Sequence, residues 1–175
     1  IFFPAIKPPD YSKKIKLIAT SWSANKKKGF KWYKYLDEQL DFDRFQMTFV
    51  GNSPISFRNI NQLKACSPEE LAERLREHHV FISAVEDDAC SNTIVEALAC
   101  GLPVVALDSG ANRELVGAGG ALFTGEADLI PRILEVSNRL EDYRRRAAPP
   151  SAEAAFAAYH GVLTQVSASG RAVPT

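Results

Sequence analysis

The 175-residue chain is 46% hydrophobic and 24% charged, with Lys plus Arg balancing Asp plus Glu at 21 each. That is material for one domain with a real core, and a formal charge of zero gives no support for general nucleic-acid binding. No window has the apolar length of a membrane span, and Ile1-Phe2-Phe3-Pro4 is too short for a signal peptide; Cys66, Cys90 and Cys100 have neither disulfide nor metal-ligand spacing, which fits a reducing, cytoplasmic location.

Pro4, Pro8 and Pro9 disfavour a helix in residues 1–14, which read as an extended linker at the start of a piece of a longer chain. Residues 15–20 read as the first strand and 21–28 as a polar connection. A helix then begins at Gly29 or Phe30, with Tyr33, Leu36 and Leu40 on one side. Residues 47–50 form the next strand, stopped by Gly51-Asn52-Ser53-Pro54, and residues 59–63 carry a weaker strand signal. Ser67-Pro68-Glu69-Glu70 opens a helix: serine caps, proline fits the first turn, and the acids face the positive helix end. Leu71 and Leu75 supply its apolar face. His78 and His79 close it, where positive charge suits the dipole.

Residues 80–84 read as a strand, 91–100 as a helix broken by Gly101-Leu102-Pro103, and 104–107 as a strand. A short helix over 112–116 and a brief strand over 121–123 follow. One helix is expected over 128–145, anchored by Leu129, Ile130, Ile133, Leu134 and Leu140. Pro149-Pro150 ends that unit. Ser151 caps a last helix over 152–163, with Phe156, Tyr159 and Val162 on its packing side, and the small, polar end of the chain is expected to fray.

Strand and helix signals alternate with short connections, the signature of a parallel sheet covered on both faces. Such sheets bind ligands at the carboxyl edge of their strands, here the loops after Thr20, Val50, Ala84 and Leu107. The dinucleotide glycine fingerprint and the Walker phosphate loop are both absent.

The most informative stretch runs from Asp87 to Val105: an acidic, small-residue loop, a helix carrying one carboxylate, and a buried strand. Glu96 is the only charge between Ser91 and Cys100. It reads either as a surface carboxylate or as a group needing a polar partner, for which ribose hydroxyls are suitable. Asp88 reads either as a turn or capping group or as an acceptor for sugar hydroxyls. Ser91, Asn92 and Thr93 open the helix, where unsatisfied N–H groups and the positive dipole end suit a diphosphate; plain capping by Ser91 or Asn92 is the alternative.

Residues 88–105 resemble the donor-binding signature of the large retaining glycosyltransferase family that includes glycogen and sucrose synthases. Asp88 and Glu96, separated by seven residues, match its pair of acids, with Asp88 in place of the commoner glutamate. Ala89-Cys90-Ser91 replaces the usual glycine-aromatic-glycine, while Ala99-Cys100-Gly101-Leu102-Pro103-Val104-Val105 is a close match. The resemblance implies an α/β, Rossmann-like three-layer sandwich with a mainly parallel sheet, one half of a GT-B architecture. It implies that Glu96 binds the ribose, that Asp88 holds the transferred sugar near its 3- and 4-hydroxyls, and that amides around Ser91, Asn92 and Thr93 contact phosphate or sugar.

Lys28-Gly29 matches the family's lysine-glycine pair after the first strand, and a lysine there can neutralise a leaving diphosphate. The family's arginine falls near Ser23, so one positive contact is missing or moved to Lys26 or Lys27. Trp22 reads either as cleft lining or as loop packing, with packing slightly preferred. Gly51-Asn52-Ser53 reads as a turn or as a flank for the base. Asp108-Ser109-Gly110-Ala111, leading into Asn112-Arg113-Glu114, resembles the family's small-residue loop. Gly110 there permits close backbone approach, and Glu114 is either a loop-orienting acid or an ordinary first-turn acid.

By the same resemblance, residues 15–148 are the nucleotide-sugar-binding domain, 149–165 a helix packing toward a missing N-terminal domain, and 166–175 a flexible tail. The expected donor is UDP- or GDP-linked, with no cofactor and no metal site. The acceptor is a carbohydrate or glycolipid held largely by the missing domain, nucleic acid is no partner, and peripheral membrane association is left open. The isolated domain is expected to transfer little or nothing. Rival readings are a noncatalytic nucleotide-binding or structural module and a nucleotide-sugar epimerase of related fold.

Overall fold

The computed structural model describes residues 1–5, 10, 13–149 and 151–168. Six strands among them form one parallel sheet: β1 (Ile15–Ser21), β2 (Phe45–Gly51), β3 (Asn61–Leu63), β4 (Val80–Ser83), β5 (Val104–Leu107) and β6 (Gly120–Phe123). The helices are α1 (Phe30–Gln39), α2 (Pro68–Glu77), α3 (Asn92–Ala99), α4 (Asn112–Val116), α5 (Glu126–Asn138), α6 (Leu140–Arg146) and α7 (Ala152–Ala168).

The strand order is β3-β2-β1-β4-β5-β6. β1 pairs with β2 from Ile15–Phe45 to Ser21–Gly51 on one side, and with β4 through Leu17–Val80 and Ile18–Phe81 on the other. The chain therefore steps outward from β1 to β3, returns to β4, and steps outward again to β6. The loops after β1 and β4 leave the sheet in opposite directions. The crevice between them, at the carboxyl edge, is the topological switch point where such sheets bind ligands.

Apolar strands form here because both sheet faces are covered. Leu17, Ala19, Met47, Phe49, Ile82 and Val105 belong to one core cluster with side chains of α1, α5 and α6. Ile18, Val50, Phe81, Val104 and Ala106 belong to a second with side chains of α2, α3 and α4. Alternation along each strand thus feeds both layers. α2 begins as expected, with Ser67 and Glu70 forming a reciprocal capping box and Pro68 in the first turn.

Four sequence expectations change. The helix expected over 128–145 is two helices, starting at Glu126 and interrupted at Arg139 (φ −129°, ψ 35°). The break turns the chain so that Leu140 and Tyr143 both enter the first core cluster. His78 and His79 are buried and their pKa values are lowered to about 4, chiefly by desolvation, so they are neutral rather than charged partners of the helix end. His78 Nδ1 donates to the Arg74 carbonyl and its Nε2 accepts from Thr48 Oγ1, while His79 Nδ1 accepts from the Lys16 amide.

The last helix continues to Ala168, into the segment expected as tail. Its Phe156, Tyr159 and Val162 are exposed among the described residues. The linker is also more than a spacer at its start: Phe2 packs on the second cluster and Phe3 lies against Arg76. The expectations at Pro8, Pro9, Pro150 and residues 169–175 lie outside the described residues.

Candidate functional site

A cavity of about 190 Å³ opens at the switch point. Thr20, Ser21 and Trp22 reach it from β1 and its following loop, Lys28 from the turn before α1, Ser83 from β4, and Ser91 and Thr93 from the start of α3. Trp22 lines this cavity and is 42% exposed, which favours the cleft-lining alternative over loop packing.

Lys28 is aimed by its neighbours. Asn25 Oδ1 accepts the Lys27 amide and starts a single 3-10 turn, Lys26–Lys28, that ends at Gly29. Gly29 takes φ 73°, and a Cβ there would sit 2.0 Å from the Ala84 carbonyl oxygen, so only glycine lets this turn lie against the end of β4. Lys28 Nζ is 3.6 Å from Asp88 Oδ2, Lys27 Nζ is 3.3 Å from Asp87, and Lys31 Nζ is 2.9 Å from Glu86. The basic turn and the acidic loop therefore face one another across the crevice. Lys27 is spent on Asp87, and neither it nor Lys26 lines the 190 Å³ cavity, so Lys28 is its one lysine among the described residues.

The start of α3 remains available. Ser91 is the N-cap residue, but its side chain caps no backbone amide; its Oγ meets Thr93 Oγ1 at 3.1 Å. That corrects the capping alternative. First-turn N–H groups have no partner within a helix, and the dipole adds positive potential there. Asn92 is exposed beside them, whereas Ser91 is buried. Thr20 adds a signal that sequence alone did not give: it is 7% exposed, lines the cavity, and its Oγ1 has no hydrogen-bond partner among the described residues.

Glu96 lies one turn further along α3 and is half-buried. Its Oε2 is inaccessible and has no hydrogen-bond partner among the described residues, and burial raises its pKa above the usual carboxylate range. An unpaired buried carboxylate oxygen is costly.

Asp88 is half-buried; its Oδ1 accepts the Cys90 amide in a local turn, and its Oδ2 faces Lys28. The loop after β5 supports it. Gly110 (φ 54°) approaches so closely that a Cβ would lie 2.5 Å from the Asp88 carbonyl oxygen, and the Ala111 amide donates to that oxygen at 3.0 Å. Glu114 is an exposed first-turn residue with no hydrogen bond among the described residues to orient the loop, and Arg113 pairs with Asp108.

Gly51 and Asn52 line a separate cavity of about 640 Å³ with Ser53 and residues 62–65 beside β3. Asn52 is fixed there by donating from Nδ2 to the Trp22 carbonyl and from its amide to the Ser21 carbonyl. A second residue missed in sequence fixes the segment before β3. Asp37 of α1 is 5% exposed, and its carboxylate accepts the Arg58, Asn59 and Ile60 amides at 2.8 Å each, tying down the approach to β3.

The described residues contain no group of three or more His, Cys, Asp or Glu placed to hold a metal ion, and no helix long and apolar enough to cross a membrane. Chemically, the site offers hydroxyls, one ammonium and a helix N-terminus around a small cavity, with the Asp88 carboxylate beside Lys28 and the Glu96 carboxylate further along α3.

Residues 17–139 match the family model described as Glycosyl transferases group 1. No curated protein matches significantly. Among solved structures, the chain is similar to the pneumococcal O-GlcNAc transferase GtfA in complex with UDP and GlcNAc, at 17% identity and TM-score 0.66, covering 83% of this chain and 34% of that one. It is also similar to sucrose-phosphate synthase from Thermosynechococcus elongatus, at 15% identity and TM-score 0.67, covering 97% and 50%. TarM matches at 16% identity and TM-score 0.60, covering 83% and 33%. The chain thus spans between a third and half of these solved chains. The fold they share with it is one α/β half of a GT-B architecture.

Proposed function

The chain belongs to the glycosyl transferases group 1 family, and from that premise we propose that it is the donor-binding half of a retaining glycosyltransferase that moves a sugar from a UDP- or GDP-linked donor to a hydroxyl acceptor. The observation that carries this reading is the hydroxyl-lined 190 Å³ cavity at the switch point, with Lys28 and the α3 N-terminus in its wall; the buried oxygen of Glu96 further along the same helix, unpaired among the described residues, supports it. An anion and a hydroxyl-bearing group joined in one ligand would satisfy both, and a nucleoside diphosphate has that chemistry.

In this reading Glu96 accepts hydrogen bonds from the ribose. The amides at Ser91, Asn92 and Thr93, with the Thr20 hydroxyl, hold the diphosphate. The base lies toward Gly51 and Asn52, in the cavity beside β3. Lys28 stabilises the negative charge that grows on the diphosphate as the glycosidic bond breaks. Asp88 accepts hydrogen bonds from sugar hydroxyls and orients the ring. Departure and attack on one face of the sugar would retain the anomeric configuration without the carboxylate nucleophile of retaining glycoside hydrolases. Gly110 shapes the loop behind Asp88. The acceptor, a carbohydrate or glycolipid, would be held largely by a domain outside this chain, and the exposed apolar residues of α7 would pack toward that domain.

The test is a calorimetric panel of UDP, GDP and their sugar conjugates against the full-length protein and its Lys28→Ala variant. Binding of one nucleotide series, weakened roughly 10–100-fold by loss of the charged contact, is expected. Absence of nucleotide binding in the unmodified protein, or equal affinity for the variant, overturns the reading.

A further inference from the structure

We propose that Asn112 is a positioning residue for Asp88, holding the acidic loop through its carboxamide. This rests on the assignment of Asp88 to the donor sugar. Asn112 is fully buried (0% exposed) in the first turn of α4. Its Nδ2 donates to the Val85 carbonyl at 3.0 Å and to the Leu107 carbonyl at 2.9 Å, joining the exits of β4 and β5. Its Oδ1 is buried and has no hydrogen-bond partner among the described residues. Both donors are used and the acceptor is stranded, so the side chain serves the two carbonyls rather than its own complete satisfaction.

The next links lead to Asp88. The Asp87 amide donates to Ser109 Oγ at 3.0 Å, and the Ala111 amide donates to the Asp88 carbonyl at 3.0 Å. Asp87 has φ 52°, the one left-handed non-glycine residue among those described. Such a conformation persists where its surroundings over-determine it. Contacts to residues 85, 87 and 88 from the loop starting at β5 supply that restraint, and Asn112 is their buried anchor. The next residue after the strained Asp87 is the one that faces Lys28.

The experiment is hydrogen exchange on the full-length protein with Asn112→Leu, which keeps the branched shape and removes the donors, and Asn112→Ser, which keeps one donor. The amides of Asp87, Cys90 and Ala111 are expected to exchange about tenfold faster or more in Asn112→Leu, the scale of one lost buried hydrogen bond, with Asn112→Ser intermediate. Amides of β1 and β2 should keep their rates. Ser137→Ala, which removes another buried and unpartnered hydroxyl, should leave the loop unchanged. Uniform acceleration across the sheet, or none in the loop, overturns the proposal; if Asn112→Leu does not fold, Asn112→Ser decides by the same criterion.

A second arm measures turnover of UDP-glucose and GDP-mannose. A fall in kcat for Asn112→Leu with KM nearly kept supports a role through Asp88, and unchanged kcat despite a loosened loop overturns it. If the unmodified protein binds neither UDP nor GDP, the donor reading is what has failed, and exchange alone decides whether Asn112 holds the loop.

Discussion

Replacing Glu96 with Gln should make the ligand-free protein more stable and its nucleotide binding weaker. Glu96 Oε2 is buried without a hydrogen-bond partner among the described residues, and desolvation raises the pKa of the group. Because the folded-state pKa lies above the unfolded value, the contribution of Glu96 to stability is complete below the unfolded pKa and is lost as pH rises through the folded pKa. At neutral pH the carboxylate is therefore a cost. An unpaired buried polar atom costs about 1–3 kcal/mol; Glu96 is half-buried, so the lower end applies. Removing its charge should raise the melting temperature by roughly 2–4 °C for a domain of this size. Hydrogen bonds to a charged group contribute about 1.5–3 kcal/mol, so nucleotide affinity should fall at least about tenfold, and further in Glu96→Ala. Ribose hydroxyls favour the ionised form, so affinity in the unmodified protein should rise with pH through the raised pKa, and Glu96→Gln should lose that dependence. Scanning calorimetry and isothermal titration at several pH values read all three effects. A variant that melts lower and binds UDP or GDP as well as the parent refutes the reasoning.

Thr20→Val, nearly isosteric, removes an unpartnered hydroxyl from the cavity wall; apo stability should hold or rise while nucleoside diphosphate affinity drops several-fold by titration, and unchanged affinity would remove Thr20 from the site. Gly29→Ala places a Cβ 2.0 Å from the Ala84 carbonyl at φ 73°, so urea unfolding should show a loss of roughly 2 kcal/mol or more, with distortion of the Lys28 turn; a near-neutral result would mean that the turn does not press on β4. His78 and His79 have folded pKa values lowered to about 4 from 6.5, so the unfolded chain takes up protons first on acidification. Stability should fall between pH 6.5 and 4 by roughly 3 kcal/mol per histidine, and a flat urea midpoint across that window in the parent contradicts their neutral burial.

Much of the architecture was legible because short apolar runs and turn residues mark it directly. Residues 104–107 and 112–116 were bounded in sequence as they are in the fold, since Gly101-Leu102-Pro103 and Asp108-Ser109-Gly110 punctuate them. The break at Arg139 was not legible: Ser137-Asn138-Arg139 contains no glycine or proline, and the turn serves the burial of Leu140 and Tyr143. The neutral, buried state of His78 and His79 was not legible, because helix position alone ignores burial. In the site, the spacing of Asp88 and Glu96 and the Lys28-Gly29 pair were visible in the chain. Thr20, Asp37 and Asn112 were not, because a buried hydroxyl without a partner, or a side chain serving distant backbone groups, is a property of tertiary neighbours. A polar residue following the apolar run Leu17-Ile18-Ala19 at the carboxyl end of β1, as Thr20 is, was the one local signal available.

The most direct measurement is a crystal structure of the full-length protein with its preferred nucleoside diphosphate. The diphosphate is expected in the cavity between Thr20, Lys28 and the α3 N-terminus, with a ribose hydroxyl on the now-paired Glu96 carboxylate. A nucleotide bound away from that crevice, leaving Glu96 Oε2 still unpaired, would contradict the account.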